Sequence, residues 1–64
     1  MADFIAAHHG SIIGLTPLTP EAKAWTDEHI PEDAQWLGRQ LCIEPRYFAD
    51  IADGIAADGL TIVD

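Results

Sequence analysis

Two prolines, Pro20 and Pro45, constrain this chain more than any other feature, because each stands where an amphipathic helix can begin. Proline at the first helical position loses no hydrogen bond and has a φ angle suited to a helix. Thr19 can cap the first helix, which the pattern predicts from Pro20 to His29. The second helix is predicted to run from Pro45 until Gly59, because glycine suits the position after a helix end.

Three apolar runs flank these helices and predict strands. The runs are Ser11–Leu18, Arg39–Glu44 and Leu60–Val63. The segment Pro31–Gly38 is predicted to be a turn or one short helical turn, with Trp36 and Leu37 as apolar anchors. The order strand, helix, strand, helix, strand predicts an α+β fold, a small three-stranded sheet with both helices packed on one face. Because two short helices cannot cover both faces, we expect a mainly antiparallel sheet.

Length limits how the core can be built. The chain has 64 residues and is expected to form a single domain, 1–64, close to the lower limit for a core without staples. The lone cysteine, Cys42, excludes an intramolecular disulfide and is predicted to be a buried thiol in a cytosolic protein. Trp25 is expected in the core. One side of the second helix is expected to face that core with Tyr47, Phe48, Ile51 and Ile55.

Two internal glycines predict close contacts. Gly14 lies inside the first predicted strand and indicates a bulge or a close backbone approach. Gly54 lies inside the second predicted helix, where it costs about 1 kcal/mol relative to alanine unless a neighbour packs closely on it. Gly14 therefore predicts one of these two features, and Gly54 predicts a closely packed neighbour.

Charge restricts the possible partners. Eleven acids and three bases give a formal net charge of -8 at pH 7. Direct binding to nucleic acid or to an anionic membrane is disfavoured, because phosphates would be repelled. A basic protein surface is the electrostatically suitable partner. The sequence has no basic signal region at its start, and no apolar run approaches the ~18 residues of a membrane span, so we expect a soluble cytoplasmic protein.

The acids also follow the predicted helices. Carboxylates on adjacent helical turns lie about 6 Å apart, close to the spacing of successive phosphates on a nucleic-acid strand. The predicted partner-binding residues are Glu21, Asp27, Glu28, Glu32, Asp33, Asp50, Asp53 and Asp58. Such an array can occupy an arginine- and lysine-rich groove that normally holds DNA, although repulsion between the acids lowers stability. The alternative is that the acids only keep a small domain soluble.

The sequence lacks signals for catalysis. It has no Gly-x-Ser-x-Gly context and no glycine-rich phosphate loop before either helix. His8 and His9 are adjacent and would point to opposite faces of a strand, so we expect no metal site there. Instead we expect both in a flexible, solvated N-terminal segment. The sequence predicts neither an enzyme nor a cofactor.

Short motifs spread over most of the chain carry a family resemblance. They are Gly10–Ile12, Leu15–Thr19, Trp25, Pro31–Ala34, Arg46–Tyr47, Asp50–Ile51, Gly54–Ile55 and Asp58–Leu60. With these motifs the chain resembles a widespread family of small acidic proteins from bacterial genomes, phages and other mobile elements. It departs from the family at Pro45, where relatives often have another residue, and this difference affects only the start of the helix.

The family includes a type I-C anti-CRISPR inhibitor, an acidic protein of similar size that blocks the Cascade surveillance complex. The resemblance implies a monomeric DNA mimic that binds the large Cascade subunit where it reads the protospacer-adjacent motif. A second hypothesis stays open. It is a small interaction module of a mobile element, such as an accessory subunit or an antitoxin-like partner, without DNA mimicry. Salt dependence and competition with duplex DNA distinguish the two hypotheses.

Overall fold

A computed structural model describes residues 1–64, which form one sheet with two helices on one of its faces. The strands are β1 (Phe4–His9), β2 (Ile12–Pro17), β3 (Trp36–Leu37), β4 (Gln40–Ile43) and β5 (Ile62–Val63), and the helices are α1 (Pro20–His29) and α2 (Pro45–Ala57). The sheet order is β3-β4-β2-β1-β5, and only the pair β1 and β5 is parallel. The α+β class and both predicted helices are therefore confirmed.

The sheet has five strands, so the prediction of a three-stranded sheet is wrong. The prediction of a flexible N-terminal segment is also wrong. His8 and His9 belong to β1, which pairs antiparallel with β2. Gly10 and Ser11 form the two-residue loop between these strands, and Gly10 has a φ of 74°. Glycine tolerates this conformation, whose twist matches that of the flanking strands. A Gly-Ser pair between two apolar runs is the sequence signal for this hairpin.

The segment between the helices forms a second hairpin. Its first part contains the predicted turn, in which the Ala34 N–H donates to the Pro31 carbonyl at 3.1 Å. Trp36 and Leu37, however, form β3, so the predicted extension of the turn to Gly38 is wrong. Gly38 has a φ of 61° and opens the two-residue loop that connects β3 to β4. Both hairpins therefore use a glycine at the first loop position.

The core lies between the helices and the inner face of the sheet. The side chains of Phe4, Leu15 and Ile55 are fully buried. Trp25 is 7% exposed and packs edge-on against Phe4, with the ring centroids 6.1 Å apart, which confirms its predicted place in the core. The remaining buried apolar residues are Ala6, Ile13, Ala22, Leu41 and Ile43. Of the predicted core face of α2, only Ile55 is fully buried, whereas Phe48 and Ile51 are half-buried and Tyr47 is exposed.

The outer face of the sheet, opposite the helices, has no cover. Strand alternation and cross-strand pairing place on it Ile5, Ala7, His9, Ile12, Gly14, Thr16, Leu37, Gln40, Cys42 and Val63. Cys42 is only half-buried there, so its predicted burial is wrong. At Gly14 the register has no bulge and the close group is a side chain instead of the predicted backbone, because a Cβ at this position would lie 2.6 Å from Oε1 of Gln40.

Asp3 joins three elements at one end of the sheet. Its Oδ1 accepts a hydrogen bond of 2.8 Å from Thr19 Oγ1, and that same oxygen of Thr19 accepts the N–H of Ala22 at 3.1 Å to cap α1. The other oxygen of Asp3 accepts the backbone N–H of Thr61 at 3.0 Å, just before β5. The Thr19 and Thr61 hydrogen bonds favour the carboxylate and hold the pKa of Asp3 below its usual value.

The end of α2 and its contact with α1 follow from two glycines. Gly59 has a φ of 79°, and its N–H donates to the Ala56 carbonyl while the Leu60 N–H donates to that of Ile55, which is a Schellman motif. This confirms the predicted role of Gly59. At Gly54 a Cβ would lie 3.3 Å from Cζ2 of Trp25, so the expected close packing is also confirmed. Neither helix is long and apolar enough to cross a membrane.

Replacing Ile55 by alanine tests the position of the core. The side chain is fully buried, so Ile55→Ala should lower the free energy of unfolding by about 2–5 kcal/mol. Ile5→Ala is the matched control, because Ile5 lies on the outer face and is 40% exposed, and it should cost clearly less. Urea unfolding followed by circular dichroism measures both. Equal losses would mean that the core does not lie between sheet and helices.

Replacing Asp3 by asparagine tests its role as a charged acceptor. A lowered pKa in the folded state means that the ionised carboxylate stabilises the fold above the unfolded-state pKa, and that this contribution is lost as the pH falls through the folded-state pKa. Asp3→Asn should therefore be less stable than the parent at neutral pH, and the difference should shrink towards acid. Thermal unfolding between pH 7 and strongly acid pH measures it, with Asp33→Asn as control. A constant difference would contradict this role.

Candidate functional site

Charge is distributed unevenly over the fold. None of the five strands contains an aspartate, glutamate, lysine or arginine. All charged residues lie in the helices, in the loops or near the chain ends. The outer face of the sheet therefore carries no carboxylate, and the acids predicted to bind a partner all belong to α1, to α2 or to the segments that follow them.

On α1 the acids lie away from the core. Ala22, Trp25 and Thr26 form the buried side of this helix. Glu21, Asp27 and Glu28 are exposed. Glu21 and Glu28 are two turns apart and share one side, whereas Asp27 is displaced by about 100° around the helix from Glu28. The helix therefore presents carboxylates on two sides of its exposed surface.

The segment after α1 and the outer side of α2 extend this charge. Glu32 and Asp33 are exposed in the turn that follows α1, and Asp50 and Asp53 are exposed on α2. No lysine or arginine nitrogen lies within 4.0 Å of any of these carboxylates, or of those on α1. We call this set the acidic surface: Glu21, Asp27, Glu28, Glu32, Asp33, Asp50 and Asp53. Its charge is available for a partner.

Asp58, the eighth predicted residue, has a structural contact that the others lack. Its Oδ2 accepts a hydrogen bond of 2.7 Å from Nε1 of Trp25, so Asp58 connects the end of α2 to the buried side of α1. His29 stacks on Trp25 with ring centroids 4.3 Å apart, and its Nε2 lies 3.8 Å from the same oxygen. Asp58 therefore fixes the two helices together, and we do not include it in the acidic surface.

An apolar groove of about 1050 Å³ lies beside the acidic surface. It is bounded by the first half of α2, by residues 30–35 and by strands β3 and β4. Leu41, Ile43 and Ile51 line it with aliphatic side chains, and Trp36 lies on its β3 side with 40% of its surface exposed. The sequence did not reveal this groove, because its walls come from separate segments that only the β3-β4 hairpin brings together.

Nowhere do three histidine, cysteine, aspartate or glutamate side chains come close enough together to hold a metal ion. The buried side-chain nitrogen and oxygen atoms all have hydrogen-bond partners. What the arrangement can do is bind: it combines unpaired carboxylates with an open apolar groove.

Comparisons with known proteins do not add to this description. No protein-family model, no curated protein and no solved structure matches the chain.

Asp58 and Asp53 allow the two roles of carboxylates to be separated. Asp58→Ala removes the acceptor of the Trp25 indole N–H and should lower the free energy of unfolding by about 1–3 kcal/mol. Asp53→Ala removes an exposed charge among like charges and should leave stability within about 0.5 kcal/mol or raise it slightly. Thermal unfolding followed by tryptophan fluorescence measures both. Equal effects would show that the Trp25 contact contributes nothing.

Proposed function

We propose that the protein is an inhibitor that acts by binding, with its acidic surface in a basic protein groove that normally holds DNA. One observation supports this most: no lysine or arginine nitrogen lies within 4.0 Å of any carboxylate of the acidic surface, while no strand carries an aspartate, glutamate, lysine or arginine. Unpaired carboxylates on one side of a small protein attract lysine- and arginine-rich surfaces and repel phosphates. The proposed activity needs no catalytic group and no cofactor.

The two helices give the carboxylates a spacing suited to this role. Asp50 and Asp53 lie about one helical turn apart, so their Cβ atoms are separated by about 6 Å. Glu21 and Glu28 repeat the charge along one side of α1 over two turns. Because DNA presents its phosphates at comparable intervals, a groove with cations spaced for phosphates can contact several of these carboxylates at once. Their fixed helical positions reduce the entropy lost on binding.

The partner that we propose comes from the family resemblance. It is the large subunit of type I-C Cascade, at the surface that reads the protospacer-adjacent motif. Occupation of this surface by the acidic protein would prevent Cascade from recognising target DNA. The protein would then act as a monomer in the cytoplasm of the bacterial host.

A second candidate function is a small interaction module of a mobile element, either an accessory subunit or an antitoxin-like partner. The observation that favours it is the uncharged outer face of the sheet, where Ile5, Leu37 and Val63 are large, apolar and exposed. An apolar face of this kind is typical of protein–protein contacts. Binding through it would depend little on salt and would not exclude DNA from the partner.

Neutralising single acids tests the main proposal. Asp50→Asn should weaken inhibition of target-DNA binding by type I-C Cascade, by about 0.2–1 kcal/mol if its contact stays hydrated and by about 2 kcal/mol or more if it is desolvated. Asn or Gln variants at all eight predicted positions should show such losses at only a few. Electrophoretic mobility shift with duplex target DNA, at two or more salt concentrations, measures inhibition. Inhibition by the parent protein should fall steeply as salt is added.

Asp64→Asn is the matched control for this series. It makes the same chemical change and the same change in net charge, but Asp64 follows β5 and lies outside the acidic surface. It should inhibit as the parent does. If single lysine variants at all eight predicted positions also inhibited as well as the parent, the acids would serve solubility and the mimicry proposal would be wrong.

A further inference from the structure

We infer that the apolar groove holds an aliphatic or aromatic side chain that the basic partner presents next to its lysines and arginines. This inference rests on the proposed function and adds to it a contact that DNA does not make with the partner. The groove, and Trp36 in particular, would then help to recognise the partner. The predicted interface is therefore mixed, with an apolar anchor surrounded by ion pairs.

The shape and chemistry of the groove support an apolar occupant. Leu41 and Ile43 continue the buried inner face of the sheet into it, and Ile51 of α2 is only half-buried beside them. Trp36 and Tyr47 remain 40% and 50% exposed although both are large and partly apolar. Tryptophan and tyrosine dominate the energetics of many protein interfaces, because they bury much area with few rotatable bonds. The helices thus leave part of the inner sheet face open.

The charges around the groove define what accompanies the apolar side chain. Glu44 and Asp50 line the groove, and no lysine or arginine does. The nearest cation in sequence, Arg46, lies 3.5 Å from Glu44 and 4.9 Å from the ring centroid of Tyr47, so it folds back on its own helix. Lys23 and Arg39 line a separate, smaller pocket that shares only Trp36 with the groove. Glu32 and Asp33 belong to the segment that forms the opposite wall. An apolar side chain flanked by cations complements this arrangement.

Other occupants fit less well. The first and last strands do not cover the groove, because β1 and β5 lie on the opposite side of β2 from β3 and β4. A second copy would bring a net charge of -8 against an acidic rim and would supply few cations. Nucleic acid would meet the same repulsion through its phosphates. A segment of a basic protein is the occupant that satisfies both the apolar walls and the acidic rim.

Two synthetic peptides test the chemistry of the groove directly. The first is an amphipathic helix with leucines on one side and lysines on the other, and the second has alanine at every leucine position, which keeps its charge and helix propensity. The leucine peptide should bind the protein about tenfold more tightly or better. Titration followed by the fluorescence of Trp36 reports binding, and the difference between the peptides should persist in high salt. Equal affinities would overturn the inference.

Variants locate the binding site of the leucine peptide. Trp36→Ala and Tyr47→Ala should each reduce the advantage of the leucine peptide several-fold, measured by calorimetry because Trp36→Ala keeps only Trp25, which does not line the groove. Val63→Ala is the matched control, because Val63 is 47% exposed but lines neither the groove nor the smaller pocket beside Trp36, and it should change nothing. Circular dichroism establishes that each variant is folded. If both groove variants still bound the leucine peptide more tightly than the alanine peptide by the full factor, the apolar contact would lie elsewhere and the inference would be wrong.

The same variants in the Cascade assay separate this inference from the proposed function. Trp36→Ala should weaken inhibition about tenfold or more, and the residual inhibition should be more sensitive to salt than that of the parent. If Trp36→Ala and Tyr47→Ala inhibited as well as the parent while the acid variants lost inhibition, the proposed role of the groove would be wrong. The proposed role of the acidic surface would still stand. If the protein did not bind Cascade at all but still bound the leucine peptide through the groove, Cascade would be the wrong partner. The inference that the groove binds an apolar side chain would be supported.

Discussion

The contact of Trp25 with four neighbours holds this small fold together. Its ring packs against Phe4 of β1 and Gly54 of α2, its Nε1 donates to Asp58, and His29 stacks on it. One side chain thereby joins both helices to the sheet. A chain of this length has little core to spare, so the contacts of this one side chain also fix how the helices present their outer sides. The positions of the acids follow from it.

The sheet carries none of the acids of this acidic protein. The inner face must be apolar because the helices cover it, and the strands supply this without a single charged residue. The net charge of -8 is therefore confined to helices, loops and chain ends. Repulsion between those acids lowers stability, which hydrogen bonds at Asp3 and Asp58 partly offset. Two acids thus stabilise the fold, whereas the acidic surface has no internal partner and supports the binding role that we propose.

Local signals in the sequence predicted the helices well, and non-local contacts explain the errors. Pro20, Thr19, Pro45 and Gly59 act within one turn, so both helices and their caps could be foreseen. β1 and β3 depend on pairing with β2 and β4, and only the glycine-led loops indicated them. The bond from Trp25 to Asp58, 33 positions apart, left no local signal. The groove was missed for the same reason.

The central claim is that the helix side binds a basic partner while the outer sheet face stays free. Hydrogen–deuterium exchange of the protein, alone and with purified type I-C Cascade, tests this most directly. If the helix side binds Cascade, protection should increase in α1, in residues 30–37 and in the first half of α2, with the exchange of β1 and β5 unchanged. Protection confined to β1, β2 and β5, or no protection at all, would contradict it.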